Sequence, residues 1–319
     1  MNKTLTNKIL ITLAFLFAYR ILAYVPVPGV NVNVIKEFFD SNSANALGLF
    51  NMFSGKAAER LSIISLGIMP YITASIVIQL MQMDVIPTLT EWSKQGEVGQ
   101  KKTQKLTRVL AIILAFIQSL VMSYGFNNAY KGLIKDTSVL GFITVAIVLT
   151  AGTALLLWLG DQISQYGVGN GVSIIILAGI IARMPTEFFQ IYESQIKDAE
   201  NLTLAILKIV IVGIIVIGIV AAVVYMQEAI RKIPIQYSQA RAGRRMLGAR
   251  STFLPLRVNS AGVIPVIFAI AFLQLPRTIA IFAPNNEKLQ KIVAYFDFSH
   301  WIGLTLYVAL IIAFCYFYV

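Results

Sequence analysis

Charge is scarce in this sequence. Only 13% of its 319 residues are Asp, Glu, Lys or Arg, where a soluble globular domain carries about a quarter. Thiols and imidazoles are scarcer still, with one cysteine and one histidine. Cys315 has no second thiol, which excludes an intramolecular disulfide, and His300 has no second imidazole, which excludes a His-based zinc centre. There is no H-E-x-x-H, no G-x-S-x-G and no pair of acids within an apolar run, so a hydrolase or redox enzyme has no visible catalytic group. No cofactor is expected.

What the chain does have is apolar residue types, 57% of the total, with a mean hydropathy of +0.75. Crossing a hydrocarbon layer about 30 Å thick takes roughly 20 apolar residues in helical form. Runs of that character occupy 9–25, 61–81, 106–124, 139–159, 172–182, 204–226, 258–275 and 301–319. The fifth is short and is expected to begin in the glycine-rich stretch before it. None alternates with period two and all exceed a barrel strand, so the spans are read as helices that satisfy their own backbone groups. The fold class that follows is all-α, a polytopic membrane helical bundle. The first run is a retained span rather than a leader, because no small-residue cleavage site follows it. The last run stops at Val319 without a polar flank, so the sequence is expected to be a piece of a longer protein.

Loop charge sets an orientation. With a cytoplasmic N-terminus, residues 1–8, 82–108, 160–171 and 227–257 face the cytoplasm and hold 14 Lys and Arg, against 10 in the opposite loops. The positive-inside rule therefore favours a cytoplasmic N-terminus. Arg20 and Lys208 lie near the outer ends of their spans, where they are expected to snorkel.

Three stretches stand out. In the second span, "LSIISLGIMPYITASIVIQLM", hydroxyl and small residues are dense enough to face other helices or a cavity, and Pro70 is expected to kink the helix. The glycines of "DQISQYGVGNGVSIIILAG" imitate a phosphate loop but lack its strand and its Lys-Ser/Thr pair, so a tight turn before a span explains them better. The segment 227–257 is long and strongly basic. Its charge suits either retention against anionic lipid or docking to RNA phosphates or an acidic protein face.

Five segments carry a resemblance. "YRILAYVPVPGV" at 19–30, "FNMFSG" at 50–55, "LGIMPYITASIVIQLM" at 66–81, "GVGNGVSIII" at 167–176 and "STFLPLRVNSAGVIPVIF" at 251–268 resemble, in order and spacing, the SecY family, the channel subunits of the bacterial Sec translocon. The resemblance runs from Ile9 to the last residue. It implies ten helices in two pseudo-symmetric halves around a central pore, of which this chain supplies eight: 1–182 as the N-terminal half and 183–319 as an incomplete C-terminal half.

It further implies roles for single residues. The apolar pore ring matches Ile68, Ile72, Ile176 and Ile267, with Val172 and Ile270 beside them. By residue type alone, these read as core residues packed between helices. The plug that stoppers the resting pore matches about 47–60, including Leu49, Phe50, Asn51, Met52, Phe53, Ser54 and Gly55. Polar positions of a lateral gate match Gln79, Gln118 and Asn259, which could otherwise be ordinary interhelical glue. Docking of the motor ATPase SecA or of the ribosome matches Arg241, Arg244 and Arg245. Implied partners are SecE-type and SecG-type small membrane subunits, signal sequences, unfolded polypeptide substrates and membrane lipids, and the implied location is the bacterial inner membrane. The family is not enzymatic; energy comes from the motor or the ribosome. A secondary transporter of a small solute is the alternative, although no acid sits at mid-span here.

Overall fold

The computed structural model describes residues 3–32, 35, 54–82, 85–129, 132–193, 202–235, 252–259, 262–281, 293–296 and 300–318. Nine α-helices and one hairpin are formed among them: α1 (Lys3–Leu22), α2 (Met69–Met81), α3 (Pro87–Lys94), α4 (Glu97–Ala129), α5 (Val139–Tyr166), α6 (Gly171–Tyr192), α7 (Leu202–Glu228), strands β1 (Ile230–Ile235) and β2 (Thr252–Arg257), α8 (Ile264–Ile281) and α9 (Trp301–Tyr318). Five helices, α1, α4, α5, α6 and α7, are long and apolar enough to cross a membrane by themselves. The chain divides into two compact units, Met1–Glu187 with Val266–Ile311, and Phe188–Pro265 with Ile312–Val319.

In the first unit, α4 packs on α2, α3 and α5, and α1 packs on α5. Small residues set this packing. On α4, Ala111, Ala115 and Ser119 recur every fourth residue and are fully buried, which brings the backbones close where lipid supplies no hydrophobic drive. Ser119 Oγ reaches the Ala146 carbonyl at 3.2 Å, tying α4 to α5. On α5, a Cβ added at Gly152 would stand 1.9 Å from the Ile63 carbonyl oxygen, so only glycine fits that crossing. Capping starts α5: the Ser138 hydroxyl accepts from Gly141 N–H at 3.2 Å.

The second span departs from expectation. Residues 61–68 form turns and α2 begins only at Met69, so Pro70 occupies the first turn of a helix instead of kinking one. The physical reason is that a first-turn residue has no intrahelical carbonyl to donate to, so the missing N–H of proline costs nothing there. Gly67 (φ +59°) lies in the turn just upstream.

Segment 25–31 runs between two neighbours. Val27 N–H donates to the Leu61 carbonyl at 3.0 Å and Ile63 N–H to the Val25 carbonyl at 3.0 Å, while Asn31 N–H donates to Leu133 at 2.8 Å. Val27, Leu61, Leu66, Met122, Phe126, Leu133, Ile134 and Leu149 close a core beneath it. In the second unit, β1 and β2 pair antiparallel with Ile230 opposite Arg257 and Ile235 opposite Thr252. The sequence reading had only a basic connector here. Pro234 and Pro255 mask the strands, yet in a two-stranded ribbon both strands are edges and tolerate proline.

Candidate functional site

The apolar positions come first. Ile68 precedes α2 and Ile72 follows one turn on; both are buried, and the Ile68 carbonyl accepts from Ile72 N–H at 3.1 Å. On α6 the buried stripe is Gly171, Ile175 and Gly179, spaced by four. Val172 and Ile176 stand one position on, about 100° round the helix, and are half-buried. An ideal Cβ on Gly160 of α5 would stand 3.5 Å from Val172 Cγ2, which puts that valine against α5. On α8, Ile270 is buried and Ile267 half-buried, one turn apart. All six belong to the first compact unit.

Of the positions matched to a plug, Leu49, Phe50, Asn51, Met52 and Phe53 lie outside the described residues, as do Arg241, Arg244 and Arg245. Ser54 and Gly55 are buried and held from three sides. Tyr19 of α1 donates its hydroxyl to the Ser54 carbonyl at 3.4 Å, and Arg20 Nη1 donates to the Gly55 carbonyl at 3.1 Å. The third side is α6: a Cβ on Gly55 would stand 2.9 Å from Tyr19 Oη and 3.0 Å from Gly179 Cα. Arg20 Nη2 also donates to the Tyr24 hydroxyl at 3.2 Å, and the Tyr24 ring carries the guanidinium carbons of Arg20 and Arg60 at 5.0 and 4.1 Å. Ser54 Oγ accepts from Ala58 N–H at 3.3 Å, opening a short 3-10 turn over Ala58–Arg60.

Arg20 thus corrects an expectation. It is half-buried and bound to the Gly55 carbonyl, within the stretch matched to the plug, not simply extended toward water. A buried carbonyl needs a donor, and a charged donor is the stronger choice. Tyr19, Tyr24, Arg60 and Gly179 were also missed as partners of this site. The sequence signal was present in the "YRILAY" motif but gave no hint of which carbonyls its side chains would reach.

The glycine stretch forms the expected turn. Val168 N–H donates to Thr12 Oγ1 of α1 at 3.1 Å, Gly171 N–H to Ser164 Oγ at 2.8 Å, and Ser173 N–H to Asn170 Oδ1 at 3.3 Å as a helix cap. Two of the three amides matched to a lateral gate have hydrogen bonds. Gln79 donates to Ser75 Oγ at 3.3 Å. Asn259 donates to Gln227 Oε1 at 3.2 Å and accepts from Gly262 N–H at 3.0 Å, joining the end of α7 to the start of α8. Gln118 is half-buried on α4. Among the described residues no cluster of three His, Cys, Asp or Glu side chains could hold a metal ion.

Comparison with known proteins decides the family. The sequence profile named SecY matches residues 62–319, and the chain is 51% identical over 318 residues to the protein translocase subunit SecY of Bacillus licheniformis, covering 99% of this chain and 73% of that protein. The chain belongs to the SecY family. The SecY of Staphylococcus aureus is 50% identical over 320 residues, again 73% of its length. Among solved structures, the fold resembles a protein-conducting channel at a TM-score of 0.51 and 22% identity, with 88% of this chain and 59% of that one aligned. A SecY structure that describes its plug domain as stabilising the closed channel and maintaining a membrane seal matches with a TM-score of 0.54. This SecY-family chain therefore spans about three quarters of its curated relatives and about three fifths of those solved chains.

Proposed function

We propose that the chain is the greater part of the pore-forming subunit of a protein-conducting channel in the bacterial inner membrane, with its N-terminus cytoplasmic. In this reading it passes unfolded polypeptides across the bilayer and releases hydrophobic segments sideways into lipid. The observation that carries the reading is 51% identity over 99% of the chain to a protein translocase subunit; that identity disfavours the small-solute carrier.

Ile68, Ile72, Ile176 and Ile267, flanked by Val172 and Ile270, form the constriction. Side chains without hydrogen-bonding groups expel water and ions from a narrow pore, and flexible aliphatic chains close around a passing polypeptide. Residues 47–60 are the plug. Gln79, Gln118 and Asn259 line a lateral gate, where intramembrane hydrogen bonds of roughly 0.6–2 kcal/mol bias the closed state without locking it. Arg241, Arg244 and Arg245 dock SecA or the ribosome, and SecE-type and SecG-type subunits complete the assembly. The halves are 1–182 and 183–319. The protein is not itself an enzyme, because the driving force comes from its partners.

The test is a conductance measurement on the full-length channel in planar bilayers. Ile72→Asn and Ile267→Asn are expected to fold and to raise resting ion conductance about tenfold or more, because an amide stabilises a water column that isoleucine excludes. Ile217→Asn on exposed α7 serves as the control. Folded ring variants with parental conductance overturn the pore assignment.

A further inference from the structure

Segment 54–65 is held in a conformation that its own residues disfavour. Gly55 and Lys56 are successive left-handed residues (φ +62° and +67°), and Leu61 is a third (φ +39°). Lysine and leucine gain nothing from that region, where their Cβ crowds the backbone. Ser62 and Ser65, both fully buried, have hydroxyls without a hydrogen-bond partner among the described residues, a loss that native structures seldom carry. Left-handed side chains and orphaned hydroxyls in one short segment persist only where surrounding structure over-determines them.

Pairing with 25–27 holds the back of the segment; the side-chain contacts that hold its front come from α1. Tyr19 and Arg20 donate to the carbonyls of Ser54 and Gly55, immediately before the left-handed pair. Arg20 is steadied in turn by the Tyr24 hydroxyl, and the same ring carries Arg60 from the far end of the turn. Arg20 therefore grips the front of the segment while Tyr24 joins it to the back.

We infer that Arg20, with Tyr19 and Tyr24, is a positioning clamp that holds the root of the plug, residues 54–65, in a strained resting conformation, and that release of this clamp sets the ease with which the plug leaves. The inference rests on the plug assignment proposed above. The unpartnered serines give the release its direction: freeing the segment lets their hydroxyls and the left-handed residues relax, so the strain opposes the clamp.

Hydrogen exchange measured by mass spectrometry on the full-length protein in nanodiscs tests this, read at the amides of 54–65 with the glycine turn at 164–176 as internal reference. Arg20→Gln is expected to speed exchange in 54–65 about tenfold, Tyr19→Phe about threefold, and Arg20→Lys less than Arg20→Gln, the size of effect that loss of one buried hydrogen bond produces. Ser62→Ala, which deletes an orphaned hydroxyl, is expected to slow exchange there. Lys135→Gln, on an exposed loop, should change nothing. Unchanged exchange in 54–65 on folded Arg20→Gln, or on Arg20→Lys and Tyr19→Phe should the glutamine variant fail to insert, overturns the clamp. So does faster exchange after Ser62→Ala. Resting conductance of the same variants separates the two ideas: faster root exchange with raised conductance supports both, and faster root exchange without it keeps the clamp and overturns the plug.

Discussion

α5 and α7 are both long and apolar enough to cross a membrane, α7 the more hydrophobic of the two, yet about a third of the most apolar stretch of α5 is buried and none of that of α7 is. Their glycines show why. A Cβ at Gly152 of α5 would meet the Ile63 carbonyl oxygen at 1.9 Å, and one at Gly160 would touch Val172 and Ile175, whereas Gly213 and Gly218 of α7 face open space. Polar groups divide the same way. α5 carries Thr150 and Thr153 within hydrogen-bonding reach of α4 or its own preceding turn, while α7 has an unbroken apolar stretch from Ile209 to Met226. The more hydrophobic helix is the less buried one. In a bilayer, lipid rewards apolar surface as well as a protein neighbour does, so hydropathy does not decide burial; small residues and hydrogen bonds that meet a neighbouring helix do.

That contrast is easiest to break at the glycines. Gly152→Val is expected to destabilise the folded protein by about 1–3 kcal/mol or to abolish assembly, because the colliding atom is backbone and has no rotamer to yield. Gly213→Val should leave thermal stability within about 0.5 kcal/mol. Parallel melts in detergent, followed by circular dichroism, compare the two; equal losses would dissolve the distinction between the helices.

A smaller effect is expected at Ser119, whose hydroxyl lies 2.8 Å from the Phe116 carbonyl and 3.2 Å from Ala146 of α5. Ser119→Ala should cost about 0.6 kcal/mol, the average for an interhelical hydrogen bond in a membrane. Ala222→Ser on exposed α7, where a hydroxyl can turn to its own helix's carbonyl one turn back, should gain no interhelical bond. Melts of the two variants and their double mutant give the comparison.

The smallest effect concerns pH at the entry to α5. Asp136 accepts from Ser138 N–H at 3.1 Å, and that backbone hydrogen bond, helped by the Ser138 hydroxyl, holds its carboxyl below the ordinary 3.8. A carboxylate with a lowered pKa adds stability above its unfolded value and loses it as pH falls through the folded one. Stability should therefore decline slightly below about pH 3.8, and Asp136→Asn should remove that part of the decline; melts between pH 7 and pH 3 check it.

Much of this was legible in the residues themselves. Spans, the turn at 167–170 and the family motifs could be read because hydropathy and glycine content are local properties. Where the reading failed, the missing information was non-local. Pro70 looks the same whether it kinks a helix or starts one, and the difference lies in the turns of 61–68, which are fixed by pairing with 25–27. The strands at 230–235 and 252–257 were hidden because each needs the other across a long connector.

The sequence by itself determined that the chain enters a membrane, roughly where it does so and to which family it belongs, because those follow from sums over neighbouring residues and from ordered motifs. Only the tertiary structure decided that Tyr19 and Arg20 reach the carbonyls of Ser54 and Gly55, thirty-five residues away in each case. A carbonyl is common to every residue type, so no letter in the sequence records which one a side chain will find.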